Sequence, residues 1–265
     1  MPPAERLDVA LAARGLARSR SHAATVIAEG LVTVDGRPEL RASAKVRPEQ
    51  VVEVAGADHY VSRGAHKLIA ALDAFDVPVE GRVAFDAGAS TGGFSQVLLE
   101  RGAALVVAVD VGHGQLAPLL AGEERLHSFE GVNVRSLTAA GYAELTGGAP
   151  APALVVADLS FISLTQVIPA LVAVSAPGAD LVVLIKPQFE VGRQGVREGI
   201  VREAGLRLDA VTDVLWAAHD AGLGTAGVIP SPIAGGHGNR EYLAHLRAGA
   251  PDPSALRDEV ERITR

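Results

Sequence analysis

The stretch VAFDAGASTGGFSQVLLERGAALVVAVDV, residues 83–111, decides the fold. An apolar run stops at Asp86. Gly88, Gly92 and Gly93 then turn the chain, FSQVLLERG carries a helical pattern, and LVVAVDV (105–111) is apolar again. Strand, glycine-rich turn, helix and strand form the unit of parallel sheets, and near-continuous apolar runs mean strands buried on both faces. The alternation continues through LHSFEG (126–131), LVVADLS (154–160) and LVVLIK (181–186). The helix RLDAVTDVLWAAHDAG, then TAGVIPSPI and EYLAHLR, complete it. The fold class is therefore α/β, a largely parallel sheet with helices on both faces.

In such sheets ligands bind beyond the carboxyl ends of the strands. Asp86, Asp110, Asp158 and Lys186 all stand at such ends. Glycines in DAGASTGG let the backbone approach a ligand closely, but serine stands where the second glycine of a dinucleotide motif would be. Asp110 lies 24 residues past Asp86. A carboxylate there can accept both hydroxyls of a ribose, which fits a nicotinamide dinucleotide or S-adenosylmethionine. Two features favour the methyl donor. Asp86, expected to point into the first turn, repels a pyrophosphate but tolerates an ammonium and a sulfonium, and no hydride-transfer constellation is evident. Helix capping is the plainer use of both aspartates.

Of the 24 basic residues only three are lysine: Lys45, Lys67 and Lys186. A protein can strip a lysine of its proton, whereas guanidinium stays charged. Lys186 ends an apolar run, in LIKPQF, where a snorkelling residue is the plain reading. Lys67 in RGAHKL, Asp158 in ADLS and Glu241 in GNREYL complete a set of two lysines and two carboxylates. Paired ammoniums and desolvation both favour loss of a proton, and a carboxylate orients a lysine. Such a site can act as general base toward an alcohol as poor as a ribose 2′-hydroxyl, a contribution worth roughly 10²–10⁴-fold.

The net charge of −7 argues against a simple nucleic-acid binder, yet it is unevenly spread: +2 over residues 1–70 and −9 over 71–265. RLDVALAARG and SRSHAATVIAEG read as two short helices. LVTVDGRP and VVEV read as strands, the first with an Asp35-Gly36 turn. Arg14, Arg18 and Arg20 fall at the helix junction, with Arg37, Arg41, Lys45 and Arg47 on the hairpin side. A solvated charged face is the ordinary use of such a cluster, but a helix corner of this kind can track a phosphate backbone. With Arg6 and Arg63, the candidate RNA-binding residues are Arg6, Arg14, Arg18, Arg20, Arg37, Arg41 and Arg63.

The run RLDVALAARGLARSRSHAATVIAEGLVTVDG resembles an S4 domain, a small RNA-binding unit. DAGASTGGF, VDVGHGQL, VADLSFISL, IKPQFEVG and the Lys-Asp-Lys-Glu set resemble the TlyA (haemolysin A) family of ribosomal RNA 2′-O-methyltransferases, over about residues 5 to 247. The resemblance implies an S4-like domain (1–59), a linker and first helix (60–81), and a class I, Rossmann-like, FtsJ-like methyltransferase domain (82–265). It implies S-adenosylmethionine as donor and cytidine 2′-O-methylation in 16S and 23S ribosomal RNA, so the expected partners are 30S and/or 50S subunits. It maps Lys67, Asp158, Lys186 and Glu241 onto a catalytic tetrad: Lys186 as base, Asp158 orienting it, Lys67 and Glu241 positioning the hydroxyl. The candidate donor-binding set is Asp86, Gly88, Ser90, Thr91, Gly92, Gly93, Phe94, Asp110, Val111, Asn133 and Asp158. The N-terminal helix and ALRDEVERITR resemble the longer members, which the resemblance associates with both subunits.

There is no cysteine, hence no disulfide framework and no thiolate site. The acidic N-terminus lacks the pattern of a signal peptide. Residues 164–185, the longest apolar region, are broken by Pro169, Pro177, Gly178 and Asp180, against the roughly 20 apolar residues of a spanning helix. The expectation is a cytoplasmic monomer without a metal. Three rivals stay open: a nicotinamide-dependent oxidoreductase, a non-enzymatic RNA-binding or assembly protein, and a membrane-lytic haemolysin. Trp216 is expected in the core. Phe161 is read as packing, with stacking on a flipped cytosine as the alternative.

Overall fold

Alternating apolar positions in strands and helical apolar faces close into separate cores. The computed structural model describes residues 4–17, 19–54, 59–192, 195–196, 198–235 and 238–265. The chain divides into two compact units, Met1–Ser62 and Arg63–Arg265.

The first unit runs β1 (Glu5–Arg6), α1 (Leu7–Ala13), α2 (Arg20–Ala28), β2 (Val32–Val34), β3 (Arg37–Pro38), β4 (Lys45–Val46) and β5 (Val52–Val54). Ser19 caps α2, its side chain accepting from His22 N at 3.1 Å, which satisfies one of the orphan donors of a helix start. Asp35 and Gly36 both take positive φ, the turn that matches strand twist in a two-residue hairpin. It joins β2 to β3, and β5 pairs with β2 on the other side. Leu7, Leu11, Ala23, Ile27 and Val32 form the centre of this core. The β1–β4 pair was not legible in the sequence, because two residues per strand carry no periodicity.

The second unit begins with α3 (Gly64–Phe75), then β6 (Val83–Ala87), α4 (Gly93–Glu100), β7 (Leu105–Asp110), β8 (Leu126–Glu130), α5 (Ala139–Thr146), β9 (Leu154–Ala157) and α6 (Ile168–Val174). It continues with β10 (Asp180–Ile185), α7 (Pro187–Glu190), α8 (Ala204–Asp220), β11 (Gly224–Pro230), β12 (Tyr242–Arg247) and α9 (Arg257–Thr264). Its seven-stranded sheet has the order β11-β12-β10-β9-β6-β7-β8. All neighbours pair in parallel except at β12, which lies antiparallel between β10 and β11. Phe85, Val107, Val155 and Val183 point to the core shared with α5, α6, α8 and α9. The alternate positions Ala84, Val106, Val156 and Val182 are equally buried, so the sheet is covered on both faces. From β6 the chain winds to β7 and β8 on one side, then returns to β9 on the other. The switch point at the carboxyl ends of β6 and β9 is where this class of sheet opens a crevice.

At the opposite end of β10, Asp180 accepts from Arg82 Nη1 at 2.6 Å and lies 2.8 Å from His245 Nε2. Burial pushes the Asp180 carboxyl up, but hydrogen bonds and charge from Arg82 and His245 outweigh it and hold its pKa below the ordinary value. The stability it contributes is complete above the ordinary carboxylate pKa and is lost as pH falls through the lower folded value. Asp180→Ala leaves Arg82 and His245 without their partner. It is expected to cost about 3–5 kcal/mol, read as a lower denaturation midpoint at neutral pH, with the deficit shrinking in acid.

Trp216 is not a core residue: on α8 it is 41% exposed, and its one aromatic-ring neighbour among the described residues is His219, nearly perpendicular to it. The helical pattern that suggested burial continues through it, but the apolar face of α8 is carried by Val211, Val214, Leu215 and Ala218. Among the described residues no helix is long and apolar enough to cross a membrane.

Candidate active site

A cavity of about 550 Å³ opens at the carboxyl edge of the sheet. The loop after β6 contributes Gly88 and Ser90, and the end of β7 contributes Asp110, Val111, Gly112 and Gln115. Val132 to Arg135 follow β8, and Asp158 to Ile162 follow β9.

Asp110 is held at this wall by its own backbone surroundings. Its Oδ2 accepts from Ser90 N at 2.8 Å and its Oδ1 from Gly112 N at 2.7 Å. Each carboxylate oxygen keeps lone-pair capacity for a further donor, such as a vicinal diol. Gly88 has φ +85°, and a Cβ there would lie 2.6 Å from the Asp158 carbonyl oxygen. Gly88→Ala combines a left-handed backbone with that clash, so about 1–3 kcal/mol of strain is expected. The predicted result is a lower melting temperature together with weaker donor binding in a titration.

Five residues of the expected donor-binding set do not line the cavity: Asp86, Thr91, Gly92, Gly93 and Phe94. Asp86 does not face an open first turn. It is fully buried, with Oδ2 accepting from Ser95 Oγ at 2.6 Å and Oδ1 without a partner among the described residues. Burial raises its pKa to about 7; the Ser95 hydrogen bond opposes this, while the Asp158 and Asp110 charges add to it. Gly92 packs where a Cβ would strike Leu120, and Gly93 and Phe94 are buried in the first turn of α4. Asn133 lines the cavity, its side chain accepting from Arg135 N at 3.1 Å.

The four residues of the proposed tetrad meet as two ion pairs. Lys67, on α3, donates to Glu241 Oε2 at 2.6 Å, and both are buried. Lys186 Nζ forms an ion pair with Asp158 Oδ1 at 2.6 Å and donates to Ser160 Oγ at 2.9 Å. Strand register brings the pairs together. Ile185 is opposite Tyr242 across β10 and β12, so Lys186 and Glu241 leave the paired strands at adjacent positions. Gln188, two residues on, reaches Glu241 Oε1 at 3.5 Å. Gly235 closes over the same oxygen, since a Cβ there would overlap it.

Phe161 is not buried, contrary to the expectation of a packing residue. It is 91% exposed, has φ +65°, and lines the cavity. Its ring centroid is 5.1 Å from that of Phe189, over which Lys186 Nζ sits at 5.9 Å. An aromatic ring exposed at the lip of a cavity presents a face on which a planar group can stack.

Residues 60–248 match the family described as FtsJ-like methyltransferase, and residues 5–52 match the S4 domain. The chain is 47% identical to a Mycobacterium tuberculosis protein named 16S/23S rRNA (cytidine-2'-O)-methyltransferase TlyA, over 97% of this chain and 96% of that one. The chain belongs to the TlyA family of FtsJ-like methyltransferases. A Campylobacter jejuni member, named 23S rRNA (cytidine-2'-O)-methyltransferase TlyA, is 30% identical over 77% of this chain and 79% of its own. A solved structure of a candidate hemolysin from Streptococcus thermophilus superposes with a TM-score of 0.77 at 37% identity, over 99% of this chain and 94% of that one.

For a TlyA-family methyltransferase, the site holds residues that motif reading did not single out. Gln115 accepts from Ser90 Oγ at 3.1 Å and fills the space a Gly112 side chain would need. Ser160 accepts from Lys186. Both sit within quoted motifs, and the signal was their place just beyond a strand end. In the S4 unit, several candidate RNA-binding arginines have internal partners. Arg6 and Arg20 both pair with Asp8, at 2.9 and 3.0 Å, and chiefly the Arg6 hydrogen bonds hold Asp8 down at about 2. Arg14 donates to the Gln50 and Arg47 carbonyls, and Arg41 pairs with Glu39. Arg37 is exposed, and Arg63, also exposed, belongs to the second unit ahead of α3. Arg18 lies outside the described residues.

Proposed function

We propose that this protein transfers a methyl group from S-adenosylmethionine to the 2′-hydroxyl of cytidine in ribosomal RNA, in both 16S and 23S. The observation that carries the reading is the pair of lysine–carboxylate contacts, each 2.6 Å, beside a cavity walled by Asp110. S-adenosylmethionine, when bound, supplies an electrophilic methyl group. Asp110 would take the ribose hydroxyls of the donor, with Gly88, Ser90, Val111 and Asn133 around it. Lys186 takes the proton from the RNA 2′-hydroxyl, a task open to an amine and closed to a guanidinium. Asp158 orients Lys186 and balances its charge, while Lys67 and Glu241 fix the hydroxyl's position. The exposed ring of Phe161 suits a base turned out of its stack. The arginines of the S4 unit keep donors beyond their internal contacts, enough to meet phosphates in a salt-dependent way.

Specificity for both subunits follows the Mycobacterium tuberculosis relative, whose length this chain spans almost completely. Ribosomal subunits are cytoplasmic, and on this reading so is the enzyme. The test is incubation with methyl-labelled S-adenosylmethionine and purified 30S and 50S subunits. Label in the RNA of both is expected. Label in one alone removes the dual specificity, and label in neither, with donor binding intact, removes the ribosomal substrate.

A further inference from the structure

Residues 158–164 carry Asp158, Ser160 and Phe161 along one wall of the cavity. The loop is strained: a bulky residue at φ +65°, as Phe161 is, persists only where its surroundings over-determine it. Side chains from five consecutive residues, 186–190, meet it at three points along its length. Lys186 meets the start of the loop at Asp158 and Ser160. Phe189 packs on Phe161 in its middle. Glu190 closes the far end, where Oε2 accepts from Ser163 Oγ at 2.6 Å and Oε1 from Leu164 N at 2.9 Å.

Glu190 is an unusual choice for a tie. It is partly buried, no basic side chain pairs with it among the described residues, and Asp213 repels it. Burial therefore raises its pKa, against the pull of its two hydrogen bonds. A carboxylate withdrawn from water without a cation is a poor source of stability. What it does supply is two directed acceptors that fix a hydroxyl and a backbone N–H at once.

We propose that Glu190 is a positioning residue for methyl transfer: it pins the far end of loop 158–164, so that Asp158 and Ser160 are held against Lys186. The proposal rests on the methyltransferase reading of Lys186 and extends it to a residue that touches neither donor nor RNA. Its effect passes through the loop. Loss of the tie lets the strained segment relax and moves Asp158 and Ser160 off the base.

The experiment compares Glu190→Ala, Glu190→Gln and Ser163→Ala in the full chain. Three readouts are taken: methyl transfer to ribosomal subunits at saturating donor and RNA, the melting temperature, and amide hydrogen exchange of the free protein. Glu190→Ala is expected to slow saturated transfer by about 10–100-fold, the scale of a small misplacement of reacting groups. The melting temperature should stay near wild type, and exchange should quicken within 158–164. Glu190→Gln should restore most of the rate, because its amide oxygen can still accept from Leu164 N while its NH2 donates to Ser163 Oγ. An unchanged rate, or a rate that falls only in step with the melting temperature, overturns the proposal. So does unchanged exchange in 158–164. Should Glu190→Ala not fold, Ser163→Ala removes one of the two ties and is judged by the same outcomes. A wild-type enzyme that transfers no methyl group counts against the reaction assigned above, and the exchange readout then decides the clamp alone.

Discussion

Lys186→Arg is expected to cripple methyl transfer while leaving the protein folded and the donor site intact. Arginine keeps the positive charge, and it can keep an ion pair with Asp158. It cannot give up a proton at any pH where the protein is folded. With the base lost, the rate should fall by roughly 10²–10⁴-fold. Donor binding should change little, because Asp110 is anchored by Ser90 and Gly112 and not by Lys186. Single-turnover transfer and a donor titration on the same preparation separate the two effects. A Lys186→Arg enzyme that retains the wild-type rate removes the base role.

Glu241→Ala should damage both fold and chemistry. It strands the Lys67 ammonium, which is only 8% exposed and has Glu241 as its ion-pair partner at 2.6 Å. Removing one member of a buried pair costs about 3–5 kcal/mol, so the denaturation midpoint should drop sharply. The double replacement Lys67→Met with Glu241→Leu discriminates stability from catalysis. Apolar residues of similar volume often replace a buried pair at little cost or with a gain. The double variant should therefore recover the midpoint and still transfer no methyl group. Recovery of both would mean that the pair serves the fold alone.

Much of the catalytic unit was legible because its strands are buried on both faces. LVVAVDV and LVVLIK have no polar interruption until the carboxyl edge, so the first polar residue marks the functional end. That pattern alone puts Asp110, Asp158 and Lys186 at the functional edge. The proposed tetrad needed more than local pattern. Lys67 and Glu241 are 174 residues apart, and what joins them is the insertion of β12 between β10 and β11, an antiparallel step that apolar runs do not encode. Asp86 shows the limit from the other side. Its position at a strand end suggested a ligand, yet the side chain turns inward to Ser95, and the sequence does not say which face of a turn a carboxylate takes. Phe161 misled for a related reason: an aromatic residue is ordinarily buried, and only backbone geometry reveals one held outward at positive φ. The arginines of the first unit were readable as a cluster, but not as partners of Asp8 and of backbone carbonyls, which depends on how two short helices meet.

The most direct test is to locate the methyl group. Ribosomal RNA from subunits treated with enzyme and labelled S-adenosylmethionine is digested to nucleosides and resolved by mass spectrometry. Fragmentation tells a methylated ribose from a methylated base. The two lysine–carboxylate pairs at the sheet edge predict label in 2′-O-methylcytidine, reduced by roughly 10²–10⁴-fold in rate with Lys186→Arg. Label on a base, or on a ribose with Lys186→Arg as active as wild type, would contradict the account.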